Sequence, residues 1–589
     1  MYSEKSKVPW GALVVVGAVL VFACIIVGTL VIPRLLQRTP GPADGNGAPA
    51  TQEAPEGTIV VDIDSSNTKE DWMNAVVAQF NQEQHTLPSG EVIFVRVKHV
   101  TSGGSQKAIL EGTSMPIVWS PGDQSWIDGA NQVWRDRTGS PLIPDPCTPT
   151  VYAPIGFAMW RPMAEALGWP ETPISWDDLV ALSADPAGWG TLGHPEWGQF
   201  KFGHTHPDYS NSGLLMLTAL AYSVEGKTSG LTASEVYSPE VEQAFQGLEQ
   251  NTYHYGIQNR PLMQVLAQRG PGYLHAITSS EAEVLKANAE FVDTLRYPLV
   301  FIFPSKGTYW SEQPYCILDA DWVSDQQEQA AEVFRDYLLA PEQQEMTITY
   351  YLRPVDESLP LHAPVALESG TDPRVTRLTV PALESPSAEV AEAVKDVFHN
   401  TKKKATIVIL LDTSSSMEGD KISNAVASTI SFIGRLDLQD EVQLFAFGGD
   451  AQVTLLGGGR AGDVVEELTQ VLSGLYADGN TPLYDAVCEA AALVGQLQTA
   501  DEASSERRLY GIVLLSDGQD TASDRSENQM FACLPSGENV EGVKIFTIAY
   551  GTDADADLML RIANRTNGKT FTGDPASIES IYNAISAEQ

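Results

Sequence analysis

Five side chains in three separate segments could do oxygen chemistry together. Asp412, Ser414 and Ser416 stand at alternate positions in "DTSSSM", Thr481 in "GNTPLYDAV" and Asp517 in "LLSDGQD". Two carboxylates and three hydroxyls are hard donors, suited to Mg2+ (or Mn2+) and poorly suited to a soft metal. In Asp-x-Ser-x-Ser a turning loop can aim three side chains at one point. The carboxylates balance a divalent charge, and the neutral hydroxyls leave the ion able to accept one more oxygen from another molecule. Each segment also has a plainer reading. Asp-Thr-Ser runs and Thr-Pro steps are common helix starts, and Asp-Gly is a common turn.

The surrounding elements must bring these residues together. "ATIVILL" (405–411) and "LYGIVLLS" (509–516) are apolar enough for strands buried on both faces. The helices "KISNAVASTISFIGRL" (421–436) and "TPLYDAVCEAAALVGQL" (481–497) alternate with the strands "EVQLFAFG" (441–448) and "GVKIFTIAYG" (542–551), and "IESIYNAIS" (578–586) closes as a helix. Such alternation builds a mostly parallel sheet covered on both sides. Ligands of such sheets sit beyond the carboxyl ends of the strands, where Asp412 and Asp517 fall. The three motifs closely resemble those of the von Willebrand factor A domain with its metal-ion-dependent adhesion site, and the resemblance covers 401–589. It implies a doubly wound α/β fold with Mg2+ (or Mn2+) held at the sheet top by Asp412, Ser414, Ser416, Thr481 and Asp517, the last often through water. It also implies a protein partner whose acidic side chain completes the metal shell.

Catalysis is not expected here. A metal-activated water needs a general base within reach. His399 is the last histidine of the chain and precedes the domain's first strand, so Ser414 has no histidine partner inside the domain. The expected role is binding, not enzymatic.

An earlier body shows its own strand–helix alternation. "TIVVDID" (58–64), "KEDWMNAVVAQFNQEQ" (69–84) and "EVIFVRVKHV" (91–100) open it, and "SWDDLVALSADP" (175–186), "LVFIFPSKG" (299–307) and one long helix, "EQAAEVFRDYLLAPEQQEMT" (328–347), follow. Ser102, Gly103 and Gly104 precede a helix expected to begin near Ser105. Ser210 and Ser212 open a second, and Ser66 a third. Free N–H groups at helix starts, with glycine allowing close approach, suit a carboxylate or oxyanion. Each is equally open to being an ordinary capped start. Trp119 and Trp126 could floor a pocket or pack in the core. "VKHVTSGGSQKAIL", "FKFGHTHPDYSNSGLL" and "AAEVFRDYLLAPEQQE" resemble bacterial extracellular solute-binding proteins of the type II periplasmic-binding fold, over about 58–350. The resemblance implies two α/β lobes, with crossings near 149–160 and 297–304. A departure is that such proteins usually carry no adhesion-type domain behind them.

Residues 10–32 contain no charge and are flanked by Lys5, Lys7, Arg34 and Arg38. The run is long enough for a transmembrane helix, leaving 1–9 as a short cytoplasmic tail. "VFAC" (21–24) faintly resembles a lipoprotein cleavage box, but the apolar run continues past Cys24. The Pro/Gly/Ala-rich stretch 33–57 reads as a spacer. A net charge of −40 over 589 residues disfavours nucleic acid and favours cations. Cys147 and Cys316 fall in the earlier body, and Cys488 and Cys533 in the later one. One disulfide in each, or four buried thiols, are both open.

The expectation is an α/β protein with a transmembrane helix (10–32), a two-lobed periplasmic-binding-protein-like domain (58–350), a connector (351–400) and a doubly wound domain of the von Willebrand type (401–589). It would be anchored in the plasma membrane by a single pass, with its bulk extracytoplasmic. The terminal domain would meet a protein partner through Mg2+, and the middle domain would sense a small ligand whose binding alters how the terminal domain is presented. Two rival readings are the receptor of an ABC importer and a surface adhesion or assembly scaffold whose middle domain binds nothing.

Overall fold

Apolar strands and helix starts fall largely where the side-chain pattern puts them. The computed structural model describes residues 53–585, except 209, 257, 451, 505–507, 518, 536–541, 552–553, 574–580 and 582–584. The expected membrane span (10–32) and cytoplasmic tail lie outside the described residues, as do most of the spacer and the closing helix. Among the described residues no helix is long and apolar enough to cross a membrane.

The first lobe is a sheet of β1 (Ile59–Ser65), β2 (Ile93–His99), β3 (Val118–Ser120), β4 (Thr148–Pro149) and β11 (Pro314–Ile317), in the order β2-β1-β3-β11-β4. β1 pairs parallel with β2 and β3, while β11 runs antiparallel to β3 and β4. The chain crosses to the second lobe between β4 and β6 (Ile155–Trp160) and returns between β10 (Leu299–Ile302) and β11. The second sheet adds β7 (Phe202–Thr205), β8 (Thr252–Gly256) and β9 (Ala276–Ser280), in the order β10-β6-β9-β7-β8. At the crossing, β5 (Val151–Tyr152) pairs with β12 (Arg353–Pro354). There the buried guanidinium of Arg353 donates to both carboxylate oxygens of Glu281 at 2.7 Å. Cys147 and Cys316 form a disulfide that ties the outgoing crossing to the returning strand.

Two expectations need correction. The single long helix at 328–347 is two, Asp325–Leu338 and Pro341–Thr349. Pro341 cannot donate into a continuing helix and starts the second one instead. The segment 351–400 is not a free connector. Its helix, Ala388–Thr401, is capped by Ser387, and Val390, Ala393, Val394, Val397 and Phe398 join Val380 and Leu383 in the core of the second lobe. That apolar stripe, at spacings of three and four, is the face an amphipathic helix buries.

The terminal domain is a six-stranded sheet of β13 (Lys404–Thr413), β14 (Glu441–Gly448), β15 (Gln452–Arg460), β16 (Arg508–Ser516), β17 (Lys544–Tyr550) and β18 (Thr570–Gly573). The order is β15-β14-β13-β16-β17-β18, and only β15 runs antiparallel. Ile407, Ile409 and Leu411 pack into one face and Val408 and Leu410 into the other, so the strand is apolar throughout because both faces are covered. Cys488 and Cys533 are disulfide-bonded, joining the helix Leu483–Ser504 to the helix Glu527–Cys533.

The amino-end edge of this sheet sits on the second lobe. Lys402 and Lys403 are buried, with Lys403 Nζ 3.4 Å from the ring centroid of Tyr253. Lys544 Nζ donates to Tyr253 O at 3.1 Å, and Leu509 lies within the second lobe's core cluster. His399 bridges the two bodies, with Nε2 3.0 Å from Asp208 and Nδ1 2.9 Å from Asp437. The hydrogen bond to Asp208 first, and then the paired carboxylate of Asp437, push the imidazole up to about 9.

Candidate functional site

β13 and β16 are adjacent, yet the chain leaves them in opposite directions across the sheet. That is the switch point where doubly wound sheets open a crevice. Leu411 pairs with Leu515, so the next step sets Asp412 beside Ser516. Ser516 Oγ donates to Asp412 Oδ2 at 2.5 Å, and Ser414 N donates to Asp412 Oδ1 at 2.8 Å. The hydroxyls of Ser414 and Ser416 are 3.0 Å apart, and Ser416 Oγ donates to Asp517 Oδ1 at 2.6 Å. Lys421 Nζ donates to Asp517 Oδ2. Four of the five expected donors thus form one hydrogen-bonded cluster.

Thr481 is not among the residues hydrogen-bonded within the cluster; the loop that carries it is joined to the cluster's loops through backbone contacts. Ser415 N donates to Gly479 O at 3.0 Å, and Asp478 N to Thr413 O at 2.8 Å. Thr481 N donates to Thr521 Oγ1 at 2.8 Å, and Thr521 N returns to Thr481 O at 2.9 Å. The loops bearing all five donors are therefore tied to one another. Gly479 has φ +71°, and a Cβ there would meet Gly449 O at 1.7 Å, so only glycine lets the two loops touch.

Whether these residues fit a hard cation can be judged from their charges. Asp412 is fully buried, and burial above all pushes its carboxyl up to about 6, against the hydrogen bonds of Ser414 and Ser516. Asp517 is buried too. Two buried carboxylates beside three hydroxyl-bearing side chains need positive charge, and the donors are all oxygen, so the set fits Mg2+ or Mn2+. Among the described residues no group of three or more His, Cys, Asp or Glu could hold a metal; this set offers two carboxylates and takes its other oxygens from hydroxyls.

The second candidate region is the cleft between the lobes. Ser66, Ser102, Gly103, Gly104, Ser210 and Ser212 all line one cavity of roughly 1360 Å3. The first helix starts at Ser102, earlier than expected, and Thr101 Oγ1 caps it by accepting from Gly104 N. Ser210 is the N-cap of Asn211–Glu225, and Ser66 precedes the short turn that leads into Glu70–Glu83. Trp126 lines the cavity. Trp119 does not; it is buried and donates to Ser105 Oγ at 2.8 Å.

Sequence reasoning missed several residues here. Lys69 is buried beneath Ser66, its ammonium on Ser66 Oγ at 3.1 Å, Ser120 O at 2.9 Å and Gln313 Oε1 at 3.0 Å. Burial lowers its pKa well below the usual lysine value. Lys286 pairs with Asp71 at 2.5 Å across the mouth of the cleft, and Arg260 with Glu290 at 2.7 Å. Nothing in "SSNTKEDW" marks its lysine as buried. Lys421 did leave a signal: a basic residue in the first turn of a helix is electrostatically misplaced unless a carboxylate holds it.

Two family profiles match the chain: bacterial extracellular solute-binding protein over 61–353, and von Willebrand factor type A domain over 406–584. Among curated proteins, inter-alpha-trypsin inhibitor heavy chain H4 of Sus scrofa is 26% identical over 163 residues, covering 28% of this chain and 17% of that protein. The chain thus spans less than a fifth of the length of the first curated relatives it matches. Among solved structures, the sulfate-binding protein SubI from Mycobacterium tuberculosis is 15% identical and covers 55% of this chain and 96% of that one, with a TM-score of 0.35. A von Willebrand factor type A protein from Catenulispora acidiphila is 19% identical and covers 32% and 43%, with a TM-score of 0.27.

Proposed function

The chain is a bacterial extracellular solute-binding domain followed by a von Willebrand factor type A domain, and we propose that it is a membrane-anchored binding protein working outside the cytoplasm. In this reading Asp412, Ser414, Ser416, Thr481 and Asp517 hold Mg2+ or Mn2+, and the domain captures a protein through it. The bound ion would offer an open coordination position to a carboxylate of the partner. The observation that carries the reading is the cluster of Asp412, Ser414, Ser416 and Asp517 at the sheet top. The opposite end of the sheet is the one docked on the second lobe, so the cluster lies at the end away from that lobe. His399 supports a binding role over catalysis: it sits before the start of β13, about 26 Å of strand from Asp412, and is already engaged by two carboxylates.

For the cleft, the best-supported ligand is a small polar molecule. Its wall combines hydroxyls, amides and helix starts with the carboxylates of Glu70, Asp71, Asp208, Glu283 and Glu290, and Lys286 and Arg260 at the rim are paired with Asp71 and Glu290. The same cleft supports the importer-receptor reading, and the scaffold reading predicts that it binds nothing. A thermal-shift screen of small polar molecules separates them, because a bound ligand raises the melting temperature by mass action. The test of the metal reading is capture of a partner by the full chain with Mg2+, with EDTA, and as Asp412→Ala. Capture lost in EDTA and in the variant supports it. Capture unchanged in EDTA overturns it.

A further inference from the structure

Two buried carboxylates meet at the sheet top, and one cation reaches them. Lys421 lies in the first turn of the helix Asp420–Ile433, where an ammonium opposes the helix dipole. Its side chain nonetheless turns into the site. Nζ donates to Asp517 Oδ2, the oxygen that Ser416 leaves free by donating to Oδ1. The Asp517 side chain has no exposed surface, whereas that of Lys421 is 30% exposed. The ammonium is therefore the solvent-side member of the pair. It passes close over Gly551, where a Cβ would lie 3.5 Å from Lys421 Cε and 3.6 Å from Nζ. Among the described residues no cation contacts Asp412, whose carboxyl is raised by burial.

We propose that Lys421 is a tethered stand-in for the metal: its ammonium neutralises Asp517 in the metal-free chain and withdraws from it when a divalent cation binds. This rests on the reading that the five oxygen donors hold such a cation. The charges argue for displacement. One ammonium leaves the pair of carboxylates a charge short, whereas a divalent ion balances both. An ammonium on Asp517 and a divalent ion held among the same donors would repel each other strongly in a site removed from water. Lys421 thereby sets the cation concentration at which the site loads, and without the ion it keeps Asp517 from being an unpaired buried charge.

The test is calorimetric titration of the full chain with MgCl2 and with MnCl2, comparing wild type, K421M and D412A, together with melting in EDTA. The expected result is that K421M binds either ion about tenfold more tightly than wild type, one opposing charge having been removed. D412A should bind neither. In EDTA K421M should melt below wild type, and saturating Mg2+ should close that gap. Equal or weaker binding by K421M, with wild type binding and D412A not, overturns the role of Lys421 and leaves the metal site standing. No binding by wild type or K421M overturns the metal site, and the role of Lys421 with it.

Discussion

Asp412 is the penultimate residue of β13 and follows five apolar, buried side chains. A carboxylate in that position is costly unless something binds it. The alternate Asp-x-Ser-x-Ser spacing made this cluster legible, because side chains on a turning loop can converge only at particular offsets. Lys69 was not legible, since a lysine in a polar run reads as solvated, and its burial depends on Gln313 some 250 positions along the chain. His399 carries a prediction at this scale. Its pKa in the folded chain is raised to about 9 by Asp208 and Asp437, above the usual value of about 6.5. A raised pKa means that its contribution to stability is fully present below about pH 6.5 and is lost as pH climbs through about 9. Denaturant melts of wild type and His399→Gln should differ by about 2 kcal/mol at pH 6, from one charge-assisted hydrogen bond and one ion pair lost, and converge above pH 9.5. A difference that does not shrink with pH would contradict the imidazolium bridge.

At the scale of elements, apolar runs that must be buried on both faces declared themselves, and β13, β14, β16 and β17 lie close to where the residue pattern puts them. β15 did not. Its residues are mostly exposed or half-exposed and include Gly457, Gly458 and Gly459, so it reads as a loop and becomes a strand only by pairing with β14. The loop contact at Gly479 was equally hidden, because it depends on Gly449 from a distant turn. Gly479→Ala should force the two loops apart and cost about 2–3 kcal/mol in a denaturant titration. Mg2+ affinity should fall with it, because Ser415 and Thr481 are positioned through that contact. Wild-type stability in this variant would show that the loops tolerate separation.

At the scale of the molecule, the boundary between the two bodies was legible as proline-rich chain followed by a basic run. The fate of that run was not. "TKKK" looks like a solvated linker end, yet Lys402 and Lys403 are buried, with Lys402 on Asp437 at 2.6 Å and Lys403 over Tyr253. Asp208, which lines the cleft, is joined through His399 to Asp437 in the terminal domain. That junction is a physical route by which closure of the cleft could bias the terminal domain. The excised segment 401–589 should therefore melt at least about 5 °C below the same domain in the full chain, having lost packing and ion pairs worth a few kcal/mol. Equal melting temperatures would mean that the two bodies merely touch.

Whether one hard cation sits among the five oxygen donors is decided by anomalous diffraction from crystals of the protein grown with MnCl2. The expected result is a single strong manganese peak bounded by Asp412, Ser414, Ser416, Thr481 and Asp517, with the Lys421 ammonium moved off Asp517. An empty cluster at saturating Mn2+, with Lys421 still on Asp517, would contradict it.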